Sequence, residues 1–219
     1  MLKHFMTTFM LLGLWHTAAM AEGPVVLDSD NDKVNYSLGY EAGKDLKRED
    51  LELKPEVLLQ GAKDATEGNK PLVSPKARRT ALQEIKNKRT QENLEKSLSY
   101  IKENGKKEGV VTRPSGLQYK EIQAGEGKTP GEDSIVTVQY RGRLIDGSEF
   151  DSSYKREKPS KYKLSNMIPG WKEAIQLMKE GAKWELYIPP DLAYGKLGRG
   201  KTIPPNSALI FEVELISVE

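Results

Sequence analysis

The stretch IPGWKEAIQLM at residues 168–178 decides the fold. Its apolar residues follow the i, i+3, i+4, i+7 spacing of a helix face from Trp171 to Met178, and Gly181 is predicted to end that helix. This is the one helix predicted between residues 116 and 219, so it must pack on the strands around it.

Alternating apolar residues predict strands on both sides of this helix. Asp146-Gly147 is a tight-turn signal before Phe150. A sheet built from such strands, with one helix on one face, is an α+β domain. The residues assigned to the buried strand faces are Val136, Val138 and Tyr140, then Trp184, Leu186 and Ile188, and finally Leu209, Phe211, Val213 and Leu215.

Residues 22–73 are predicted to be a small helical domain. Asp30 or Asp32 is expected to cap its first helix, and a second helix begins at Pro55. Gly39 and Gly43 lie four residues apart in the first helix. Each glycine weakens a helix by roughly 1 kcal/mol relative to alanine, so the pair indicates either close approach by another helix or a loosely packed helix.

Residues 74–109 are predicted to contain a long connecting helix and a linker. Ser74 is the expected N-cap, Pro75 occupies the first turn, and Asn104-Gly105 ends the helix. Residues 86–93 (KNKRTQEN) contain no apolar side chain. A helix that is polar all round bridges domains through solvent or is unstable alone, so this segment is expected to separate the helical domain from residues 110–219.

The first 21 residues have the pattern of a secretory signal peptide, with Lys3 and His4 before an apolar stretch and cleavage expected after Ala21. The apolar stretch is too short for a stable membrane span. We therefore expect a protein exported to the periplasm, without an integral span after processing; association with the outer membrane and exposure at the surface are both compatible with this export. A retained membrane anchor is the alternative.

Composition excludes several classes of chemistry. The chain has no cysteine, and its two histidines, His4 and His16, lie inside the expected signal. Serine–histidine triads and histidine-ligated metals are thus excluded, and neither a metal nor a cofactor is predicted. The 34 basic and 32 acidic residues nearly balance, which argues against a nucleic-acid partner. The aromatic residues of the last third can instead form an apolar pocket that works by desolvation and shape.

Six short motifs in residues 116–219 occur in the order of a known domain. They are Ser115-Gly116-Leu117-Gln118-Tyr119, Val138-Gln139-Tyr140-Arg141-Gly142, Asp146-Gly147 with Phe150-Asp151-Ser152-Ser153, Ile168-Pro169-Gly170-Trp171, Leu192-Ala193-Tyr194-Gly195, and Ile203-Pro204-Pro205 with Phe211-Glu212-Val213-Glu214-Leu215. This segment resembles an FKBP-type peptidyl-prolyl cis–trans isomerase domain. The resemblance implies a twisted antiparallel sheet wrapped around the short helix at Trp171, and catalysis of rotation about X-Pro bonds.

The resemblance also implies roles for individual residues. Trp171 would be the floor under the substrate proline, and Tyr194 would donate its hydroxyl to a substrate carbonyl. Asp151, oriented by Tyr140 and Arg156, would face the carbonyl of the rotating bond; a local turn with the following serines is its other reading. The remaining pocket residues would be Phe150, Met167, Ile168, Ile203 and Phe211, with the amide of Ile168 as a second donor.

The whole chain resembles the exported Mip-like (macrophage infectivity potentiator) group of that family. In this group the N-terminal helices intertwine, which implies a homodimer through residues 22–73 that acts on unfolded or proline-containing polypeptides. Macrolide-type inhibitors of the family are a further expected ligand class. Two alternatives remain open: a chaperone or binding module that captures unfolded chains, and a surface virulence-associated factor.

Two positions depart from well-known members of the family. Ser160 stands where eukaryotic members have an aromatic wall residue, which should make that side of the pocket more open and polar. Arg199 stands in the loop 196–201 (KLGRGK) where some members have histidine. That loop either favours substrates with acidic flanks or is a solvated hairpin tip.

Overall fold

The computed structural model describes residues 25–48 and 50–219. The expected signal peptide, residues 1–21, lies outside the described residues. The chain divides into two compact units, one that ends at Gly68 and one from Asn69 to Glu219. The long helix belongs to the second unit, whereas the sequence-based domain boundaries at residues 73 and 109 stay a prediction.

The first unit contains α1 (Asp30–Arg48) and α2 (Pro55–Glu67). The Ser29 hydroxyl accepts a hydrogen bond from the Asp32 amide at 3.1 Å, and the Asp32 carboxylate accepts one from the Ser29 amide at 2.9 Å. This reciprocal pairing is a capping box. The expected cap at Asp30 or Asp32 was therefore wrong, because Ser29 is the cap and Asp32 is its partner three residues later.

The long helix α3 (Pro75–Asn104) has 30 residues and the predicted ends. The Ser74 hydroxyl accepts a hydrogen bond from the Ala77 amide at 3.2 Å, so the predicted N-cap is confirmed. Gly105 follows the last helical residue. Across residues 25–48 and 50–219, neither α3 nor any other helix is long and apolar enough to cross a membrane.

The second unit contains a seven-stranded antiparallel sheet in the order β1-β2-β6-β7-β3-β4, with β5 also paired to β3. The two ten-residue strands β3 and β7 form its centre. The strands are β1 (Val111–Thr112), β2 (Gln118–Gln123), β3 (Ile135–Leu144), β4 (Glu149–Ser152), β5 (Ser160–Lys163), β6 (Lys183–Ile188) and β7 (Leu209–Val218).

One face of the sheet packs on the short helix α4 (Pro169–Ile175), as predicted. All residues assigned to the buried strand faces are buried there. The helix ends at Ile175 rather than at Met178, so its predicted length was wrong. Met178 is nevertheless fully buried, because the chain continues in tight turns that keep this side chain against the core. Helical spacing therefore identified the buried residues but not the end of the helix.

The opposite face of the sheet is partly covered as well, which the sequence did not indicate. Tyr187 and Ile210 are register partners on β6 and β7, and both are buried. The ring centroid of Tyr100 on α3 lies 6.4 Å from that of Tyr187. The C-terminal part of α3 thus belongs to the fold of the sheet domain.

The polar segment of α3 also contacts this domain, through hydrogen bonds. The Asn93 amide group donates to the Pro205 carbonyl at 2.5 Å and to the Ser207 hydroxyl at 3.1 Å. The Asn206 side chain donates to the Thr90 carbonyl at 3.0 Å. The expectation that residues 86–93 only bridge through solvent was therefore wrong for the end of this segment, because polar side chains can dock by satisfying buried backbone groups.

Candidate active site

Trp171 lies at the first turn of α4, where the sheet brings the aromatic residues together. Ile168 precedes the helix in an extended conformation (φ −60°, ψ 151°) and Pro169 starts it. A Cβ added to Gly170 would lie 2.4 Å from a methyl carbon of Ile188, so only glycine lets the helix approach β6 this closely. The side chain of Trp171 is 2% exposed and belongs to the buried hydrophobic cluster.

Three aromatic rings meet Trp171 at nearly right angles. Its ring centroid lies 5.2 Å from that of Phe211, 5.3 Å from that of Tyr140 and 6.3 Å from that of Tyr162. Phe150 packs edge-on against Phe211 at 5.5 Å. Edge-to-face contacts of this kind hold aromatic rings in defined orientations, so the walls are fixed before any ligand binds.

Gly142 makes room for two of these rings. A Cβ at this position of β3 would lie 2.7 Å from ring atoms of both Phe150 and Phe211. The backbone of β3 therefore supports the two phenylalanines directly. Any larger residue would push the rings apart.

A polar network lies at one edge of the aromatic cluster. The Tyr140 hydroxyl donates to Asp151 Oδ2 at 2.6 Å and accepts a hydrogen bond from Arg156 Nη2 at 2.8 Å. Arg156 Nη1 donates to Asp151 Oδ1 at 2.7 Å. The guanidinium also lies 5.5 Å from the centroid of the Tyr140 ring. Each member thus orients the other two.

The network keeps Asp151 ionised and Tyr140 protonated. Partial burial acts to raise the pKa of the Asp151 carboxyl, but hydrogen bonds from Tyr140 and Arg156 outweigh it and lower that pKa below its usual value. Burial and the hydrogen bond to Asp151 raise the pKa of the Tyr140 hydroxyl far above its usual value. At neutral pH the site therefore presents one fixed carboxylate in a largely apolar surrounding.

Tyr162 belongs to this site and was missed by the sequence analysis. Its hydroxyl lies 3.0 Å from that of Tyr140. The signal was the alternation in β5, where Ser160 and Tyr162 are half-buried and the intervening lysines are exposed. The Ser160 hydroxyl accepts a hydrogen bond from Arg156 Nη2 at 3.3 Å, so this side of the pocket is polar.

The remaining predicted residues lie around the same cluster. Ile203 is buried within it, and Met167, Ile168 and Tyr194 pack against it half-buried. Among the described residues, the Ile168 amide has no hydrogen-bond acceptor, which leaves it available to a ligand. The structure thus brings all ten predicted site residues together, eight as apolar or aromatic lining and two, Asp151 and Arg156, as the charged pair.

This arrangement provides shape, desolvation and a few hydrogen-bond donors. No cluster of three or more metal-ligating side chains occurs within residues 25–48 and 50–219. The chain carries no cysteine anywhere. The described site thus offers a buried aromatic cluster around Trp171 beside the fixed Asp151–Arg156 pair.

Comparison with known proteins agrees with this geometry. Residues 126–216 match the pattern of the FKBP-type peptidyl-prolyl cis-trans isomerase, and residues 31–120 match the domain amino-terminal to that isomerase. The outer membrane protein MIP of Legionella longbeachae is 40% identical over 230 aligned residues, which cover 100% of this chain and 99% of that protein. The chain belongs to the FKBP-type peptidyl-prolyl cis–trans isomerase family.

Two further relatives support the assignment. The peptidyl-prolyl cis-trans isomerase Mip of Coxiella burnetii is 43% identical over 226 residues, covering 98% of this chain and 96% of that protein. The crystal structure of FkpA from Escherichia coli superposes with a TM-score of 0.64 at 35% identity, over 89% of this chain and 99% of that one. The predicted FKBP-type isomerase, its α+β fold and its Mip-like relatives are thus confirmed.

Proposed function

We propose that the pocket over Trp171 carries the isomerase activity, with the substrate proline packed on its indole ring. The observation that supports this most directly is the set of aromatic rings fixed edge-on around Trp171. A five-membered apolar ring needs such a rigid, dry surface to be held while the bond before it rotates. Met167, Ile203 and Phe211 would surround the ring, and Tyr162 joins them as a wall.

Rotation about an X-Pro bond is slow because twisting the amide destroys its resonance, with a barrier of about 18–20 kcal/mol. The planar amide is more dipolar than the twisted one, so an apolar pocket disfavours the planar ground state. Binding the twisted form better than the planar one is sufficient for catalysis. An acceleration of about 10⁶-fold corresponds to roughly 8 kcal/mol of such differential binding.

The polar groups at the rim would add to this differential binding. In the twisted amide the nitrogen no longer shares its lone pair with the carbonyl, so the carbonyl carbon becomes more electron-deficient. The Asp151 carboxylate, held by Tyr140 and Arg156, would stabilise that carbon. The Tyr194 hydroxyl and the Ile168 amide would hold neighbouring substrate carbonyls. No proton is transferred, which fits a site without histidine.

A proline-limited peptide isomerisation, measured with residues 22–219, tests the assignment of the pocket. Phe211→Ala should lower kcat/KM, while the exposed Leu197→Ala should not, although both remove apolar side chains from the same domain. Equal activity of the two variants would contradict the proposal. If Tyr194→Phe removes isomerase activity but leaves capture of an unfolded protein intact, isomerisation and the alternative chaperone function are separate.

The fragment used to isolate the isomerase domain should include α3. The Ser97 hydroxyl, fully buried, donates to the Asn206 carbonyl at 2.8 Å and accepts from the Ala208 amide at 2.9 Å. A fragment that begins at residue 110 loses these bonds. We therefore expect residues 69–219 to be stable and active, and residues 110–219 to unfold more readily.

We also propose that the chain forms a homodimer through residues 22–73. Large apolar side chains of α1 and α2 are exposed, among them Leu38 and Leu59. A Cβ at Gly39 or Gly43 would meet nothing within 4 Å, so the described part of the chain supplies no close helix there. A second copy would cover these surfaces.

The mass in solution tests the dimer, with and without residues 22–73. Leu38→Glu should yield monomers. Lys47→Glu is the control. Lys47 lies nine residues after Leu38, which is about two and a half helical turns, so its side chain is on the opposite side of α1. A monomeric full-length protein would contradict the proposal.

Export is the third proposal, with cleavage after Ala21 and function in the periplasm or at the outer membrane. It is supported by the signal pattern and by the similarity to the outer membrane protein MIP of Legionella longbeachae. The N-terminal sequence of the protein recovered from the cell envelope tests it; a chain that begins at Met1 would contradict it. The proposed substrates are unfolded or proline-containing exported polypeptides, and macrolide-type inhibitors would compete for the same pocket.

A further inference from the structure

The segment from Tyr194 to Ile203 forms a closed unit at the rim of the pocket. The Gly198 amide donates to the Tyr194 carbonyl at 3.2 Å. Arg199 and Ile203 form an antiparallel bridge, in which the Arg199 amide donates to the Ile203 carbonyl at 2.8 Å and the Ile203 amide donates back at 3.2 Å. The loop therefore connects two pocket residues through its own backbone.

Gly198 is required for this closure. Its φ of +64° lies in the left-handed region that favours glycine. A Cβ there would also lie 2.3 Å from the Ile203 carbonyl oxygen. Glycine at this position therefore lets the backbone close, and the bridge between Arg199 and Ile203 sets the position of the Arg199 backbone.

The Arg199 side chain returns to the Tyr194 ring from this fixed position. Arg199 Nη1 donates to the Tyr194 hydroxyl oxygen at 2.7 Å, and the guanidinium carbon lies 5.4 Å from the ring centroid. Lys196 and Lys201 lie in the same loop, and within the described part of the chain neither forms a hydrogen bond or a cation–π contact with Tyr194. Of the three cationic side chains in this described loop, Arg199 is thus the one that contacts Tyr194.

A guanidinium only donates hydrogen bonds, whereas a tyrosine hydroxyl both donates and accepts. The Tyr194 oxygen is therefore the acceptor, and its own proton remains directed away from Arg199. A charged donor on the oxygen also polarises the O–H bond and strengthens it as a donor.

We propose that Arg199 is a positioning residue that fixes the Tyr194 hydroxyl as a hydrogen-bond donor toward the substrate. The proposal rests on the donor role of Tyr194 proposed above. It assigns the loop a function at the site itself, through a contact with a pocket residue. Arg199 acts only through Tyr194 and does not touch the rotating bond.

A double-mutant cycle with Arg199→Ala, Tyr194→Phe and the double variant tests this, using residues 22–219 and an uncharged proline peptide. Arg199→Ala should lower kcat/KM about three- to tenfold, the net effect of one ordinary hydrogen bond, because solvent at this exposed position weakens the contribution of the charge. In the Tyr194→Phe background the same change should have almost no effect. Arg199→Lys should restore part of the activity, since lysine keeps the charge but lacks the planar guanidinium.

Lys201→Ala is the matched control, because it removes the same charge from the same loop without a contact to Tyr194. It should leave kcat/KM unchanged. The proposal is overturned if Lys201→Ala lowers kcat/KM as much as Arg199→Ala, or if Arg199→Ala costs the same with and without the Tyr194 hydroxyl. A Tyr194→Phe variant with full activity would overturn the donor role of Tyr194 as well. If Tyr194→Phe lowers kcat/KM but Arg199→Ala does not, only the proposed role of Arg199 is overturned.

Discussion

The two units of the chain differ in the burial of their apolar side chains. In α1 and α2 of the first unit, Leu38 is 66% exposed and Leu59 is 56% exposed. In the sheet of the second unit, Leu186 and Leu209 are fully buried. The sheet domain therefore completes its core within one chain, whereas the N-terminal helices leave large apolar side chains exposed.

The largest effect is expected from a matched pair of leucine truncations. Leu209→Ala should lower the free energy of unfolding of the second unit by about 2–5 kcal/mol, because it leaves a cavity in the core. Leu38→Ala should change it by less than about 0.5 kcal/mol. Trp171 and Trp184 both lie in the second unit, so their fluorescence during denaturant unfolding reports that unit. A comparable loss in both variants would break the contrast between the two units.

The second prediction compares a substitution on the docked side of α3 with one on the solvent-facing side of the same helix. Ser97→Ala removes the partner of the Ala208 amide and of the Asn206 carbonyl. Leaving these groups unpaired should cost about 1–3 kcal/mol. Ser99→Ala, at an exposed position of the same helix, should be within about 0.5 kcal/mol of the unchanged protein. Because alanine has a higher helix propensity than serine, propensity alone would make both variants slightly more stable; equal losses in urea unfolding would show that the buried hydrogen bonds of Ser97 do not account for the effect.

The third prediction concerns a substitution in the site, which should change kcat/KM without changing the N-terminal helices. Asp151→Asn keeps an oxygen for Tyr140 but removes the fixed charge, and we expect about a tenfold loss of kcat/KM, or roughly 1.4 kcal/mol. The exposed Asp191→Asn serves as the control with unchanged activity. The mass of both variants in solution should equal that of the parent. An unchanged kcat/KM for Asp151→Asn would rule out an electrostatic role for this carboxylate.

The smallest expected effect is a change in the pH dependence of the unfolding free energy. The pKa of Asp151 is lowered in the folded protein, so its contribution to stability is present above the usual value of 3.8 and is lost as pH falls through the lower folded value. Arg156→Met removes one cause of that lowering and should raise the pKa of the Asp151 carboxyl, measured by carboxyl NMR titration. The unfolding free energy should then fall less steeply on acidification. Lys158→Met, in the same loop, should leave the titration unchanged; if it shifts equally, general loop charge is responsible.

Much of the second unit was predictable from sequence because its signals are local. Alternation marked the buried faces of β3, β6 and β7, and helical spacing marked the face of α4. The six motifs located the pocket residues in their order along the chain. Tyr162 was within reach of the same reasoning, since it alternates with two lysines, but a four-residue strand has too few positions to make the pattern conspicuous.

The sequence by itself determined the α+β class, the helix boundaries at Ser74 and Gly105, and a site that cannot depend on cysteine. These follow from periodicity, capping and composition, which are properties of neighbouring residues. Only the tertiary structure decided that α3 docks on the second face of the sheet and that Arg199 reaches Tyr194. The docking of α3 depends on where strands far apart in sequence meet. The contact of Arg199 depends on how the loop from Tyr194 to Ile203 folds back on itself. In both cases polar side chains give no sign in the sequence of which carbonyl or hydroxyl they will satisfy.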